Sequence, residues 1–174
     1  DVYKRQDLED YKIEEIKKHV DHFENIKDGI SQECTRRGLK SLGETYQILY
    51  GLHYIKSLNL SDVYWVFKLG GRDILMDTFN VEEYDQYANK FVFRQSSDSY
   101  IPGLRMIETT MWSFDYCLLD DTINMVNGVF NYLNGGGVNT EHGYYQLLDK
   151  SKLVEKEIMH MRREYAPNNQ VCEV

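Results

Sequence analysis

Apolar residues recur along the chain mostly in a three-four rhythm. Ile13, Ile16, Val20, Phe23 and Ile30 stand three, four, three and seven apart with Glu and Lys between them, which predicts an amphipathic helix over 8–28. Gly29 and the stretch 32–38 then interrupt or kink it. Ser41 and Glu44 have the spacing of a capping box, opening a helix over roughly 41–58. That helix carries one stripe of Leu42, Tyr46, Leu49 and His53 and another of Ile48, Leu52 and Ile55. The longest pattern runs through Leu104, Ile107, Met111, Phe114, Leu118, Met125, Val129 and Tyr132. It predicts one helix of about 28 residues, some 40 Å long at about 1.5 Å per residue. Asn134 and the glycines 135–137 end it, and a last helix is expected from Thr140 to about Glu164, with Leu147, Val154, Ile158 and Met161 inward.

The middle follows a different rhythm. Val63–Leu69 and Arg72–Phe79 are rich in β-branched and aromatic residues and flank Gly70-Gly71, which predicts a hairpin with a two-residue turn. A competing reading takes Asn59-Leu60-Ser61 as a turn and cap, a short helix from there to Leu69 and Gly70 as its stop, which would resemble a helix-turn-helix, but Tyr64 and Trp65 are bulky where two such helices must approach closely. Asn80 is placed to cap a helix over 81–90, Val92–Arg94 to form a third short strand, and Pro102 to open a helix. The fold class expected is therefore α+β and predominantly helical, amphipathic helices packed with a small antiparallel hairpin; an all-α bundle is the alternative.

Residues 1–6, DVYKRQ, fit none of these patterns. They resemble the translated adapter left on metagenomic fragments by transposase-based sequencing, which implies a biological start at Asp7 or earlier. The expected organisation is that six-residue extension, one domain over 7–165 and a flexible tail over 166–174.

With 28% charged and 42% apolar residues, the composition is that of a folded domain. No apolar run reaches the roughly 20 residues a membrane-spanning helix needs. The net charge of −8 argues against duplex DNA, whose affinity comes from clustered Lys and Arg on phosphates. Cys34, Cys117 and Cys172 are odd in number and widely spaced, which suits reduced thiols in a cytoplasm.

Motifs for chemistry are sparse. Glu157 and His160 form an ExxH, which on a helix puts both ligands on one face; with Glu108 and Asp115 from the long helix they make the candidate metal set. Three glycines at 135–137 lack the Lys-Ser or Lys-Thr of a P-loop, and no GxSxG or HExxH occurs. His53, on an apolar stripe, is expected as a hydrogen-bonded core residue. Fourteen tyrosines suit a binding surface. Tyr46, Tyr50 and Tyr54 repeat every fourth residue just after Arg36, Arg37 and Lys40, so rings beside cations could stack a base and hold its phosphate.

These features point to a non-enzymatic cytoplasmic binding protein that needs no cofactor. Its character is that of a phage or mobile-element inhibitor occupying a host protein or sequestering a nucleotide-like ligand, with self-association through the 104–132 helix. Alternatives are a metal-dependent helical enzyme acting on nucleotides and a helix-turn-helix regulator.

Overall fold

The computed structural model describes residues 14–15, 17–21, 26, 28–70, 73–165 and 170–173. The helix expected over 8–28 lies largely outside them. Four helices are described: α1 (Gly29–Arg36), α2 (Lys40–Ser57), α3 (Leu119–Asn134) and α4 (Thr140–Leu147). The strands are β1 (Trp65–Leu69), β2 (Asp73–Leu75), β3 (Phe91–Arg94), β4 (Ser97–Asp98), β5 (Arg105–Met106), β6 (Met111–Asp115), β7 (Leu153–Lys156), β8 (Met161–Tyr165) and β9 (Gln170–Glu173). A central sheet runs β1-β6-β3-β7, with β2-β8-β9 and the hairpin β4-β5 as smaller sheets. In the central sheet β6 is antiparallel to β1 and β3, and β7 is parallel to β3.

This mixed α/β architecture overturns the predominantly helical expectation. The supposed helix over 104–131 is helical only from Leu119 onward, after a short 3-10 turn at Tyr116–Leu118; before that it is β5, a connection and the central strand β6. The longest described helix is α2, with 18 residues. The cause lies in β6: Met111, Trp112, Ser113 and Phe114 are all buried, because both faces of the sheet are covered. A strand buried on both faces shows no period-two alternation, and its apolar run passes for a helical stripe. Burial of Ile107, Met111, Phe114, Leu118, Met125 and Val129 inside the domain also consumes the stripe on which self-association rested.

Other elements also differ from expectation. The 140–164 helix stops at Leu147 and gives way to β7 and β8. The described residues of 63–79 contain two strands and no helix, but these do not pair with each other: β1 joins β6 and β2 joins β8. Pro102 sits in a turn before β5, not in a helix. Asn80 does cap, its side chain accepting from the Glu82 amide, yet the segment Val81–Tyr87 is a 3-10 helix. Gln170–Glu173, within the expected tail, pairs with β8 as β9. Ser41 is not a cap either, since α2 starts at Lys40 without a side-chain cap bond; Glu44 instead pairs with Lys68 of β1 at 2.9 Å.

The core has two parts, one on each face of the sheet. On one face Phe91, Phe93, Trp112 and Phe114 meet the inner sides of α2, α3 and α4. α3 contributes Leu119, Thr122, Ile123, Met125, Val126 and Val129, a three-four stripe facing inward. It stops at Gly135, and Gly136 takes φ +91, which only glycine adopts without strain. α4 packs closely on α3: a Cβ at Gly143 would lie 3.0 Å from Tyr132 Cδ1 and 3.1 Å from Val129 Cγ1. Against the other face lie Met111, Met159 and Met161 with Phe67 and Phe79.

Tyr144 is fully buried and its hydroxyl has no hydrogen-bond partner among the described residues. A buried hydroxyl that makes no bond keeps its desolvation cost without return. Tyr144→Phe is therefore expected to raise the unfolding free energy by about 1 kcal/mol, read as a higher urea midpoint; a drop of that size would mean the hydroxyl is bonded.

Candidate functional site

The parallel pairing of β3 with β7 brings their carboxyl ends side by side. In α/β sheets this is where ligand crevices form. A groove of about 630 Å³ opens there, lined by Arg94 and Gln95 from the end of β3, Ser96, Ser97, Tyr100 and Met106 from the β4-β5 hairpin, Glu108, Asn139 and Glu141 at the start of α4, and Glu157 just after β7. Thus one guanidinium faces three carboxylates. Arg94 Nη1 stands 3.9 Å from Glu108 Oε2, and the Thr110 hydroxyl donates to Glu108. Thr109 Oγ1 donates to Glu141 at 3.5 Å. Tyr100, 73% exposed, is the aromatic element at the rim.

Local chemistry builds these walls. Asn139 caps α4, its Oδ1 accepting from the His142 amide at 3.0 Å, which fixes Glu141 in the first helical turn. The hairpin is tied down on both sides: Ser96 N donates to Glu155 Oε1 at 3.0 Å, Ile107 N to the Glu141 carbonyl at 3.3 Å, and Arg105 Nη2 to Ser96 Oγ at 3.0 Å.

His142 Nε2 lies 2.6 Å from Ser99 Oγ, a distance that fits a nucleophile–base pair. Its surroundings argue otherwise. The ring is wholly buried, Nδ1 has no partner among the described residues to orient it, and Ser99 Oγ already accepts from the Ile101 amide at 3.0 Å. With its proton on Nε2 the imidazole donates to Ser99 and acts as a clasp between hairpin and α4.

The residues expected at the ligand site fall elsewhere. Arg36 is engaged by Glu33 through Nε at 2.8 Å and Nη2 at 2.7 Å, and Arg37 lies 4.0 Å from the same carboxylate. Lys40 is exposed at the start of α2. The Tyr46 hydroxyl donates to Asp28, its ring 6.1 Å from Phe130. Tyr50 is exposed and Tyr54 half-buried. None of the six lines the groove. His53, expected in the core, is exposed.

The Asp28–Tyr46 bond instead fastens α2 to the residue before α1. The Ser31 amide first, then the Tyr46 hydroxyl, hold the Asp28 carboxyl below its usual range; the Asp28 bond pushes Tyr46 up to about 12. The lowered acid favours folding above its ordinary titration and loses that contribution as pH falls; the raised phenol contributes below pH 10 and loses it as pH rises through about 12. Tyr46→Phe is therefore expected to remove the alkaline loss between those values, read by thermal unfolding against pH. An unchanged alkaline limb would show that the bond does not couple to folding.

The candidate metal set is scattered. Glu108 and Glu157 share the groove. Asp115 ends β6; burial alone would raise its pKa, but the amides of Asn89 at 2.6 Å and Cys117 at 3.0 Å hold the carboxyl below its usual range. His160 lies in the turn before β8 with φ +52, its Nδ1 3.2 Å from Thr78 Oγ1. Because 157–160 is not helical, the spacing premise of the ExxH fails. Among the described residues no group of three or more His, Cys, Asp or Glu is placed to hold a metal ion.

Sequence reasoning missed Arg94, Tyr100, Asn139, Glu141 and His142. Only Asn139, before a helical stretch, carried a local signal; the rest meet through the β3–β7 pairing. Compared with protein-family models, curated proteins and solved structures, the chain matches none. No helix among the described residues is long and apolar enough to cross a membrane.

Proposed function

We propose that this chain is a non-enzymatic binding protein of the cytoplasm that occupies a protein partner by seating a basic segment in the groove, in the manner of a phage or mobile-element inhibitor. The observation that carries the reading is the charge of the groove, one arginine against three glutamates, in a chain of net charge −8. Such a field speeds encounter with cationic partners and opposes nucleotides, which bring several negative charges. The Ser99–His142 pair beside the groove is spent on fastening the hairpin.

Titration of the purified protein with fluorescent hexa-arginine tests it. Binding is expected, weaker at high salt, and reduced about tenfold in the double variant Glu141→Gln/Glu157→Gln, the loss of about 1.4 kcal/mol from charge-assisted bonds. Hexa-glutamate and AMP are expected not to bind. Preference for AMP, or turnover of it, overturns the reading.

A further inference from the structure

We infer that the outer edge of β7 takes up an extended, basic segment of a partner protein as an added strand of the central sheet, with the end of that strand running into the groove. This rests on the binding reading above and specifies how the partner is held.

β7 is the last strand in the order β1-β6-β3-β7, and among the described residues no strand pairs with its outer side. The direction of its backbone groups follows from one bond. The Lys156 carbonyl accepts from the Gln95 amide at 2.9 Å, on the β3 side. In a parallel ladder alternate residues face the same neighbour, so Val154 and Lys156 address β3 while the N–H and C=O of Glu155 point outward. Glu157, in the bend just after β7, lines the groove.

A row of outward backbone donors and acceptors is a template for another strand. Natural edges are often blunted by lysine, but Lys156 is turned to the sheet face, its ammonium 3.1 Å from Glu83 and 4.8 Å from the Tyr84 ring centroid. Lys150, near Glu155, is seated 3.6 Å over the Tyr145 ring. The carboxylates at and beyond the edge are Glu155, Glu157 and Glu141, so charge complementarity selects a segment with Lys or Arg at alternate positions, the spacing at which one strand face repeats.

The test uses the peptide acetyl-Arg-Val-Arg-Val-Arg-Val-amide and two versions of it, N-methylated at the odd or at the even residues. Only one edge of the added strand meets β7, so one methylated peptide is expected to bind like the parent and the other to lose affinity about tenfold or more. Glu155→Pro and Glu155→Ala both delete the carboxylate, but only proline removes the outward amide, leaving the β3 ladder donors in place; Glu155→Pro is therefore expected to weaken the parent peptide about tenfold more than Glu155→Ala, and equal losses in the two would count against strand addition. If Glu155→Pro does not fold, the methylated pair decides alone. Equal binding of both methylated peptides overturns strand addition and leaves the binding reading standing on the groove. Failure of the parent peptide and of hexa-arginine together overturns both.

Discussion

Trp112→Ala is expected to lower the unfolding free energy by about 3–5 kcal/mol, the range for deleting a large buried ring. Trp112 is wholly buried in the central strand β6. Its indole stacks on Phe93 of the neighbouring strand at 5.3 Å with planes 5° apart, and meets Tyr144 of α4 at 5.5 Å and Phe114 at 5.9 Å. The ring thus joins sheet and helices, and truncation leaves a cavity bounded by elements that cannot all close in. The indole N–H has no hydrogen-bond partner among the described residues, so Trp112→Phe removes an unpaired donor while keeping most of the ring; its cost is expected to stay below about 1.5 kcal/mol. Urea unfolding followed by circular dichroism measures both. A loss under about 1 kcal/mol for the alanine variant would mean that Trp112 does not join sheet and helices as described.

Val126→Asp is expected to leave the chain unfolded at room temperature, whereas Asn127→Asp, one residue on, is expected to change stability by no more than about 0.5 kcal/mol. Val126 is wholly buried on the inner side of α3 and Asn127 is exposed. A carboxylate at 126 is stripped of water with no cation described among its core neighbours. The penalty of several kcal/mol for such a group rivals the whole stability of a small domain. Comparable losses at both positions would mean that α3 is rotated from the face described.

The helices are legible where one face is wet. α2 and α3 show in the sequence because exposed Lys56, Asp120, Asn124 and Asn127 alternate with buried positions at helical spacing. β1 and β3 show through their aromatic and β-branched residues. β6 is hidden because cover on both faces erases its alternation, and its apolar run extends α3 into an expected helix of nearly twice the length. β7 was hidden likewise: Leu153 and Val154 fit a helical stripe as well as a strand. The site was less legible still. Glu108 and Glu157 were singled out for a metal that needs a helix at 157–160, and they meet instead across a groove made by two strands far apart in the chain. Arg36, Arg37 and Lys40 read as free cations, yet the first two share the nearby Glu33.

The parallel pairing has a further consequence for how the molecule is made. Phe91 must wait for Leu153 and Phe93 for Glu155, with β6, α3 and α4 all synthesised in between. Pairing so distant in sequence is slow to form. Until it forms, the free flank of β3 presents Phe91-Val92-Phe93, an apolar strand of the kind that recruits other chains. Arrival of β7 replaces that flank with one carrying Glu155. Chains that end before Leu153 are left with the sticky flank, so they should aggregate during synthesis, while the full-length chain exchanges an indiscriminate edge for a charged and selective one.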